Sequence, residues 1–206
     1  MNKKIPLVTV PRISLYYRAL LESRHKDYIS SEEIAYLTGF NSAQVRKDLA
    51  YFGQFGTPGK GYKVESLKKA LLSILGTDRI WNVALVGVGN LGSALLSYKG
   101  FEEQGFKIVA AFDKDMRKIG KVIRQVKIQD IKDLEDTIHK KNIKIVILAI
   151  PAKHVQAIVD RLIKGGIKAI LNFAPIRPKI PSDIHILNID LSIELERLAY
   201  FLNKLR

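Results

Sequence analysis

The segment Gly87-Val88-Gly89-Asn90-Leu91-Gly92 sets three glycines at the spacing GxGxxG. That spacing suits the cradling of a phosphate: one glycine makes a tight turn, one lets the anion approach the backbone, and one lets a helix pack close to a strand. The motif alone is weak. Here the apolar run Trp81 to Val86 precedes it and the helical stretch Ser93–Tyr98 follows, which is the strand-turn-helix context the mechanism needs. The start of that helix would offer N–H groups and a positive dipole end to the phosphates. Asp113 closes the next apolar run, Ile108 to Phe112. A carboxylate there binds ribose hydroxyls and repels a 2′-phosphate. NAD or NADH is therefore the expected ligand, with an empty nucleotide-type scaffold or another nucleotide as the alternative. The loops Ile150-Pro151-Ala152-Lys153 and Asn172-Phe173-Ala174-Pro175 follow two further strands, and their carboxyl ends border the same crevice.

A second constellation lies upstream. Ser30-Ser31-Glu32-Glu33 is a capping box, Ser30 at the N-cap and Glu33 three residues on. It opens a short helix with Ile34, Ala35 and Leu37; Gly39 permits a tight turn, and Asn41 or Ser42 can cap the next helix. Val45, Leu49 and Phe52 share one face of that helix, while Ala43, Gln44, Arg46, Lys47, Ala50 and Tyr51 occupy the other. A small residue at the crossing, a glycine in the turn and a β-branched anchor describe a helix-turn-helix. Gln can pair with an adenine edge, Arg with guanine, and Lys with phosphate. The glycine-rich stretch carrying Lys60, Gly61, Tyr62 and Lys63 reads as a wing reaching backbone or minor groove. A plain helical hairpin with a solvated charged face is the bland alternative. The DNA-facing set is Ser42, Ala43, Gln44, Arg46, Lys47, Lys60, Gly61 and Tyr62.

Catalysis finds less support. The 206 residues include no cysteine, so disulfides, thiolate zinc sites, iron–sulfur clusters and cysteine nucleophiles are excluded. Neither His139 nor His154 has an evident carboxylate partner for a proton relay, and no metal cluster is apparent. Residues 79–206 leave room for a nucleotide domain and little else, whereas a dehydrogenase normally adds a substrate domain. The nucleotide is expected as a signal and not as a reagent.

These groups need elements to hold them. Helices are expected from Leu15 to about Phe52, then four glycines and Pro58 between Gly53 and Gly61, then a helix over Val64 to Leu75 ending at Gly76. After Asp78 short apolar runs alternate with helices: Val83–Val86, Ile108–Asp113, Ile145–Ile150, Ala169–Asn172 and Ile184–Asn188. Continuous apolar strands between helices indicate a parallel sheet covered on both faces. Residues 79–189 thus form a Rossmann-type α/β domain behind a winged helix-turn-helix domain over 1–78. From Asp190 a stripe of Leu191, Leu195, Leu198, Leu202 and Leu205 marks a terminal helix over 190–206. Unaided, the stripe slightly favours packing on the chain's own sheet over a seam to a partner. The net charge of +14 suggests a polyanion or a Lys-rich solvated surface. Of that excess, residues 1–78 hold +5 and residues 79–206 hold +9. No export signal or bilayer-length apolar run is visible, so the cytoplasm is the expected compartment.

Taken together, Gln44-Val45-Arg46-Lys47-Asp48-Leu49, Tyr51-Phe52-Gly53, Gly59-Lys60-Gly61-Tyr62, Gly87–Gly92, Phe112-Asp113, Lys118-Ile119-Gly120 and Leu171-Asn172-Phe173-Ala174-Pro175 resemble the Rex family of redox-sensing transcriptional repressors. The resemblance runs over nearly the whole chain. It implies an NAD(H) site built from Gly87, Val88, Gly89, Asn90, Leu91, Gly92, Asp113, Lys118, Pro151, Ala152, Asn172, Phe173 and Ala174. It also implies a homodimer with the C-terminal helix swapped onto the partner, and release from palindromic operator DNA when NADH replaces NAD⁺. Arg18, Tyr98 and Asp190 match family positions that form a polar switch. The chain departs from the pattern at Pro58, where relatives commonly carry Arg or Lys, and at Leu191, where some place Phe. A paralogue without redox discrimination and a small NAD-dependent dehydrogenase are the competing functional readings.

Overall fold

The computed structural model describes residues 5–204, and the contacts gather the chain into two units, Met1–Arg79 and Ile80–Arg206. Leu205, the last residue of the terminal stripe, lies outside the described residues.

The first unit runs α1 (Thr9–Glu22), β1 (Tyr28–Ile29), α2 (Ser31–Thr38), α3 (Ser42–Ala50), β2 (Gly56–Thr57), β3 (Gly61–Lys63) and α4 (Val64–Leu75). α1 begins at Thr9, six residues before the Leu15 expected from sequence. Pro11 falls in the first turn, where a helix needs no N–H from it. The capping box of α2 is formed: Glu33 N–H donates to Ser30 Oγ at 3.1 Å and Ser30 N–H to Glu33 Oε2 at 2.9 Å. Asn41, and not Ser42, caps α3 by accepting from Gln44 N–H at 2.8 Å. α4 has the expected bounds and ends on Gly76. One core gathers Ile13, Tyr16, Leu20, Ile34, Val45, Leu49, Leu67 and Leu71 from all four helices.

β3 is the middle strand of the wing, antiparallel to β1 on one side and β2 on the other. Its central place explains a difference from the sequence reading. Tyr62, expected on the exposed wing, is 8% exposed and belongs to the core. The connection Thr57-Pro58-Gly59-Lys60 closes with Lys60 N–H on Thr57 O at 3.0 Å, Gly59 having φ +75°. Proline followed by a positive-φ glycine is the chemistry of a type II turn, which gives Pro58 a local role.

The second unit runs β4 (Trp81–Val86), α5 (Asn90–Ser97), α6 (Gly100–Glu103), β5 (Phe106–Asp113), β6 (Val122–Ile123), β7 (Val126–Asp130), α7 (Leu134–Lys140), β8 (Ile145–Leu148), α8 (Val155–Lys164), β9 (Ala169–Asn172), β10 (His185–Asn188) and α9 (Leu191–Asn203). Seven strands form one sheet in the order β10-β9-β8-β4-β5-β7-β6, parallel except for the β6–β7 hairpin. Alternate residues of β4 feed the two faces: Ala84 and Val86 pack with α7 and α8, Val83 and Leu85 on the other side with Leu96 of α5. β7 was not expected from sequence. Its Val-Lys-Ile-Gln-Asp alternates apolar with polar residues near the sheet edge and so lacks the continuous run that marked the inner strands.

α9 corrects the unaided reading of the terminal stripe. Every described residue of this helix is exposed, Leu191, Leu195, Leu198 and Leu202 each by 60% or more. It does not pack on its own sheet. Among the described residues no helix is long and apolar enough to cross a membrane, and no group of three or more His, Cys, Asp or Glu could hold a metal ion.

Candidate functional site

β4 stands where the strand order reverses, since the chain leaves it for β5 on one side and later returns to β8 on the other. Open parallel sheets bind ligands at that point, outside the carboxyl ends of the strands. A cavity of about 420 Å³ lies there. Gly87, Gly89, Asp113, Lys118, Pro151 and His154 are among the residues that line it.

The three motif glycines differ in what demands them. A Cβ on Gly87, at φ +94°, would stand 2.4 Å from Ala149 O, and one on Gly92 would stand 1.9 Å from Gly87 O. Both are required by the protein's own packing. Gly89 has φ −81°, and a Cβ on it would meet no protein atom within 4 Å. Among the described residues nothing asks for glycine at 89, and Gly89 lines the cavity. No side chain caps α5, leaving its first-turn donors to an anion. These features fit a dinucleotide's phosphates.

Asp113 is 9% exposed at the end of β5. Its Oδ2 accepts from Val88 N–H at 2.9 Å and Lys118 Nζ at 3.0 Å, and its Oδ1 accepts from Asp115 N–H at 2.9 Å. Burial pushes the carboxyl up, but the bonds from Asp115 N–H, Lys118 and Val88 N–H outweigh it, so it lies below the usual aspartate value. It stays ionised at neutral pH. A carboxylate has about four acceptor positions, and donors among the described residues use three, so Oδ1 keeps one open.

Of the residues expected around the ligand, the cavity gathers Gly87, Gly89, Asp113, Lys118 and Pro151. Val88 contributes by orienting Asp113. Asn90 and Leu91 occupy the first turn of α5, and Gly92 its contact with β4. Ala152 is half-buried in the turn after Pro151. Asn172 serves differently: it is wholly buried, its Nδ2 lies within 3.1 Å of Ala174 O, Ile176 O and Asn188 Oδ1, and its Oδ1 accepts from Ala174 N–H. It pins its own loop, with Ala174 buried and Phe173 packed on the sheet, and none of the three borders the cavity. Conversely, Lys114, Asp115 and His154 do border it. His154 Nε2 lies 3.1 Å from Lys114 Nζ, and burial, with Lys114 and Lys153 nearby, holds its pKa below the ordinary value. Its position, just past the carboxyl end of β8, was the signal in the sequence.

In the first unit α3 presents Ala43, Arg46, Lys47 and Ala50 to solvent, with Ser42 and Gln44 half-buried and Lys60 exposed in the wing turn. Two of these side chains are not free arms. Arg46 Nη1 donates to Ser31 Oγ at 2.8 Å and Glu32 Oε1 at 2.9 Å, an exposed pairing of small energy. Gln44 Nε2 donates to Asp48 Oδ1 at 2.8 Å. Asp48, which sequence reasoning had given no role, is wholly buried and receives Arg12 and Tyr16 as well. A carboxylate on the apolar face beside Val45 and Leu49 was the available signal. The three residues read as a switch are each engaged locally or open. Arg18 is exposed on α1, Tyr98 packs edge-on against Phe101 with ring centroids 5.1 Å apart, and Asp190 caps α9 through Ser192 N–H at 3.0 Å.

Known proteins match this arrangement along its length. A family model described as a CoA binding domain matches residues 78–176, and one described as a putative DNA-binding protein N-terminus matches residues 4–50. The chain is 47% identical over 199 residues to the redox-sensing transcriptional repressor Rex of Carboxydothermus hydrogenoformans, covering 96% of each. It is 47% identical over 201 residues to the protein of that name from Syntrophomonas wolfei, covering 97% of this chain and 96% of the other. A crystal structure described as RSP in complex with beta-NAD+ and operator DNA superposes with a TM-score of 0.93 at 40% identity, covering 98% of this chain and 94% of that one. One described as RSP in complex with beta-NADH gives a TM-score of 0.87 at 38% identity, covering 98% and 96%.

Proposed function

The chain belongs to the Rex family of redox-sensing transcriptional repressors, and from that premise we propose that it binds operator DNA as a homodimer and is released when NADH replaces NAD⁺. The observation that carries this reading is the joining, in one chain, of a capped helix-turn-helix to a switch-point crevice whose Gly89 leaves room for a phosphate and whose Asp113 keeps an acceptor for a ribose. Residues 1–78 serve as the winged DNA-binding domain, 79–189 as the NAD(H)-binding domain and 190–206 as the dimerisation helix.

Asp113 separates the ligand candidates. Its negative charge disfavours a phosphate on either hydroxyl of the adenosine ribose, which counts against NADP(H) and against coenzyme A, whose adenosine carries a 3′-phosphate. A bound dinucleotide supplies a nicotinamide ring that is cationic when oxidised and neutral when reduced. The chain's part is to hold it: Gly89 admits the phosphates, the first turn of α5 donates to them, and Asp113 accepts from the ribose. Ligand exchange shifts the dimer between DNA-competent and released states only by its difference in affinity for the two. In the competent state the two α3 helices sit about 34–36 Å apart, one turn of a palindromic operator.

α9 supports the dimer. Besides its leucine stripe, Ile193 and Tyr200 stand on the opposite side, 52% and 56% exposed. A helix apolar on opposed faces is built to be enclosed, and a second copy offers the enclosure. A repressor of this kind works where the DNA is, in the cytoplasm.

The test is an operator-binding titration of the full-length protein with NADH, NAD⁺ and NADPH in parallel. NADH is expected to release the DNA, NAD⁺ to leave it bound and NADPH to act only at far higher concentration. Equal responses to NADH and NAD⁺ would remove redox sensing from the proposal, and turnover of NADH with a carbonyl substrate in the absence of DNA binding would replace the repressor by an enzyme.

A further inference from the structure

Asp48 carries more partners than an ion pair needs. Its Oδ2 accepts from Arg12 Nε at 2.6 Å and Tyr16 Oη at 2.8 Å; its Oδ1 accepts from Arg12 Nη2 and Gln44 Nε2, both at 2.8 Å, with Thr9 Oγ1 at 3.5 Å. Thr9, Arg12 and Tyr16 belong to α1, whereas Gln44 lies one turn back on α3. A carboxylate is an acceptor only, so the end of the Gln44 amide turned toward it has to be the NH₂ group. A solvent-exposed glutamine can turn its amide over and offer either end. Gln44 cannot, because the reversed amide would set Oε1 against the Asp48 carboxylate. What remains for a partner is Oε1 and the second N–H, one acceptor and one donor. In the major groove an adenine edge offers an acceptor and a donor, whereas a guanine edge offers two acceptors.

We propose that Asp48 is a positioning residue for base recognition, fixing the Gln44 amide so that it offers an acceptor and a donor together and so favours adenine over guanine at one base pair. The proposal rests on the reading of α3 as the DNA-facing helix. It assigns to a buried residue, out of reach of DNA, a share of sequence specificity.

Full-length protein with NAD⁺ is used to select a palindromic duplex from a randomised library, and each base pair of a half-site is then varied. Gln44→Ala identifies the pair whose preference depends on the amide. Asp48→Asn retains the shape but can donate toward Gln44, which frees its amide to turn. At that pair the preference is expected to fall from about tenfold, the scale of one bidentate contact, to below about threefold, with guanine gaining most. Preferences at the other pairs are expected to keep their wild-type values. A wild-type profile in Asp48→Asn, an equal loss at every pair, or the absence of any pair dependent on Gln44 overturns the proposal. If the wild-type protein selects no duplex, the DNA reading falls first and the proposal with it. Should Asp48→Asn fail to fold, the side-chain amide of Gln44 in the wild-type protein decides, its resonances identified by their loss in Gln44→Ala. Two proton shifts displaced from free glutamine and slow solvent exchange support the proposal, and free-glutamine shifts overturn it.

Discussion

Asp48 in the first unit and Asp113 in the second are both buried carboxylates, each held by a cation and by neutral donors, and they differ in what is left over. All the acceptor positions of Asp48 are taken by Arg12, Tyr16 and Gln44. Asp113 has three donors, of which only Asp115 N–H reaches Oδ1, and it borders a cavity of about 420 Å³. A saturated carboxylate can orient the chain around it but has nothing to offer a ligand. An unsaturated one beside open space can bind. The two aspartates thus differ in capacity, one saturated by its own unit and the other with an acceptor left beside a cavity, which is what the proposed roles of positioning and ligation require.

Substitution at Asp48 is the strongest way to break this comparison. Asp48→Ala leaves the Arg12 guanidinium, 19% exposed, without its counter-charge, and loss of one partner of a buried pair costs about 3–5 kcal/mol. Urea unfolding should show a loss of that order with NADH affinity in the folded protein unchanged; a loss below about 1 kcal/mol would show the cluster to be no anchor. Acid probes the same pair. Burial pushes the Asp48 carboxyl up, but the bonds from Arg12, Tyr16 and Gln44 outweigh it and hold its pKa below the ordinary value. A depressed folded-state pKa stabilises above the unfolded value, about 3.9, and that stability is lost as pH falls through the folded pKa. Unfolding free energy should therefore decline below about pH 4, and less steeply in Asp48→Asn.

Asp113→Asn comes next in size. It should weaken NADH binding by about 1.5–3 kcal/mol, the scale of hydrogen bonds to a charged group, and narrow the gap between NADH and NADPH in calorimetric titration. An unchanged NADH affinity would mean that the spare position on Oδ1 is not used. The motif glycines sharpen the ligation half further. Gly92→Ala must move α5 away from Gly87 O and should cost about 1–3 kcal/mol of stability as overpacking does. Gly89→Ala meets no protein atom and should leave the melting temperature in place while weakening NADH binding at least tenfold. If both variants behaved alike, the assignment of Gly89 to the ligand would be lost. The smallest stability effect belongs to Arg46→Ala, which removes an exposed pair with Glu32 worth about 0–1 kcal/mol. Operator affinity should nevertheless drop with NADH affinity unchanged; an equal loss of both would undo the division of labour between the units.

Features set within a few residues were legible in the sequence. The Ser30–Glu33 capping box and α4 with its terminal Gly76 are present as read, because caps depend on near neighbours in the chain. The inner strands were legible as continuous apolar runs, whereas β7 was hidden by its alternation. Tyr62 misled because a glycine-rich stretch looks exposed until β1 and β2 are seen to flank β3. Asn172 was placed at the correct strand end, but its amide turns inward to four groups of its own unit. The leucine stripe of α9 was visible, and which surface it covers was not: the stripe is apolar for any partner, own sheet or second copy.

By itself the sequence determined the order of the two units, the helix-turn-helix, the strand-turn-helix around Gly87–Gly92 and the placement of Asp113 at a strand end. Caps, glycine spacing and apolar periodicity are local, and they carry that information without tertiary contacts. Only the tertiary structure decided that Gly87 and Gly92 answer to the protein's packing while a Cβ at Gly89 would stand in open space, and that Arg12 and Tyr16 reach across 36 and 32 residues to saturate Asp48. Saturation of an acceptor and clearance around a missing Cβ depend on atoms from distant segments brought within a few ångströms, and folding alone brings them there.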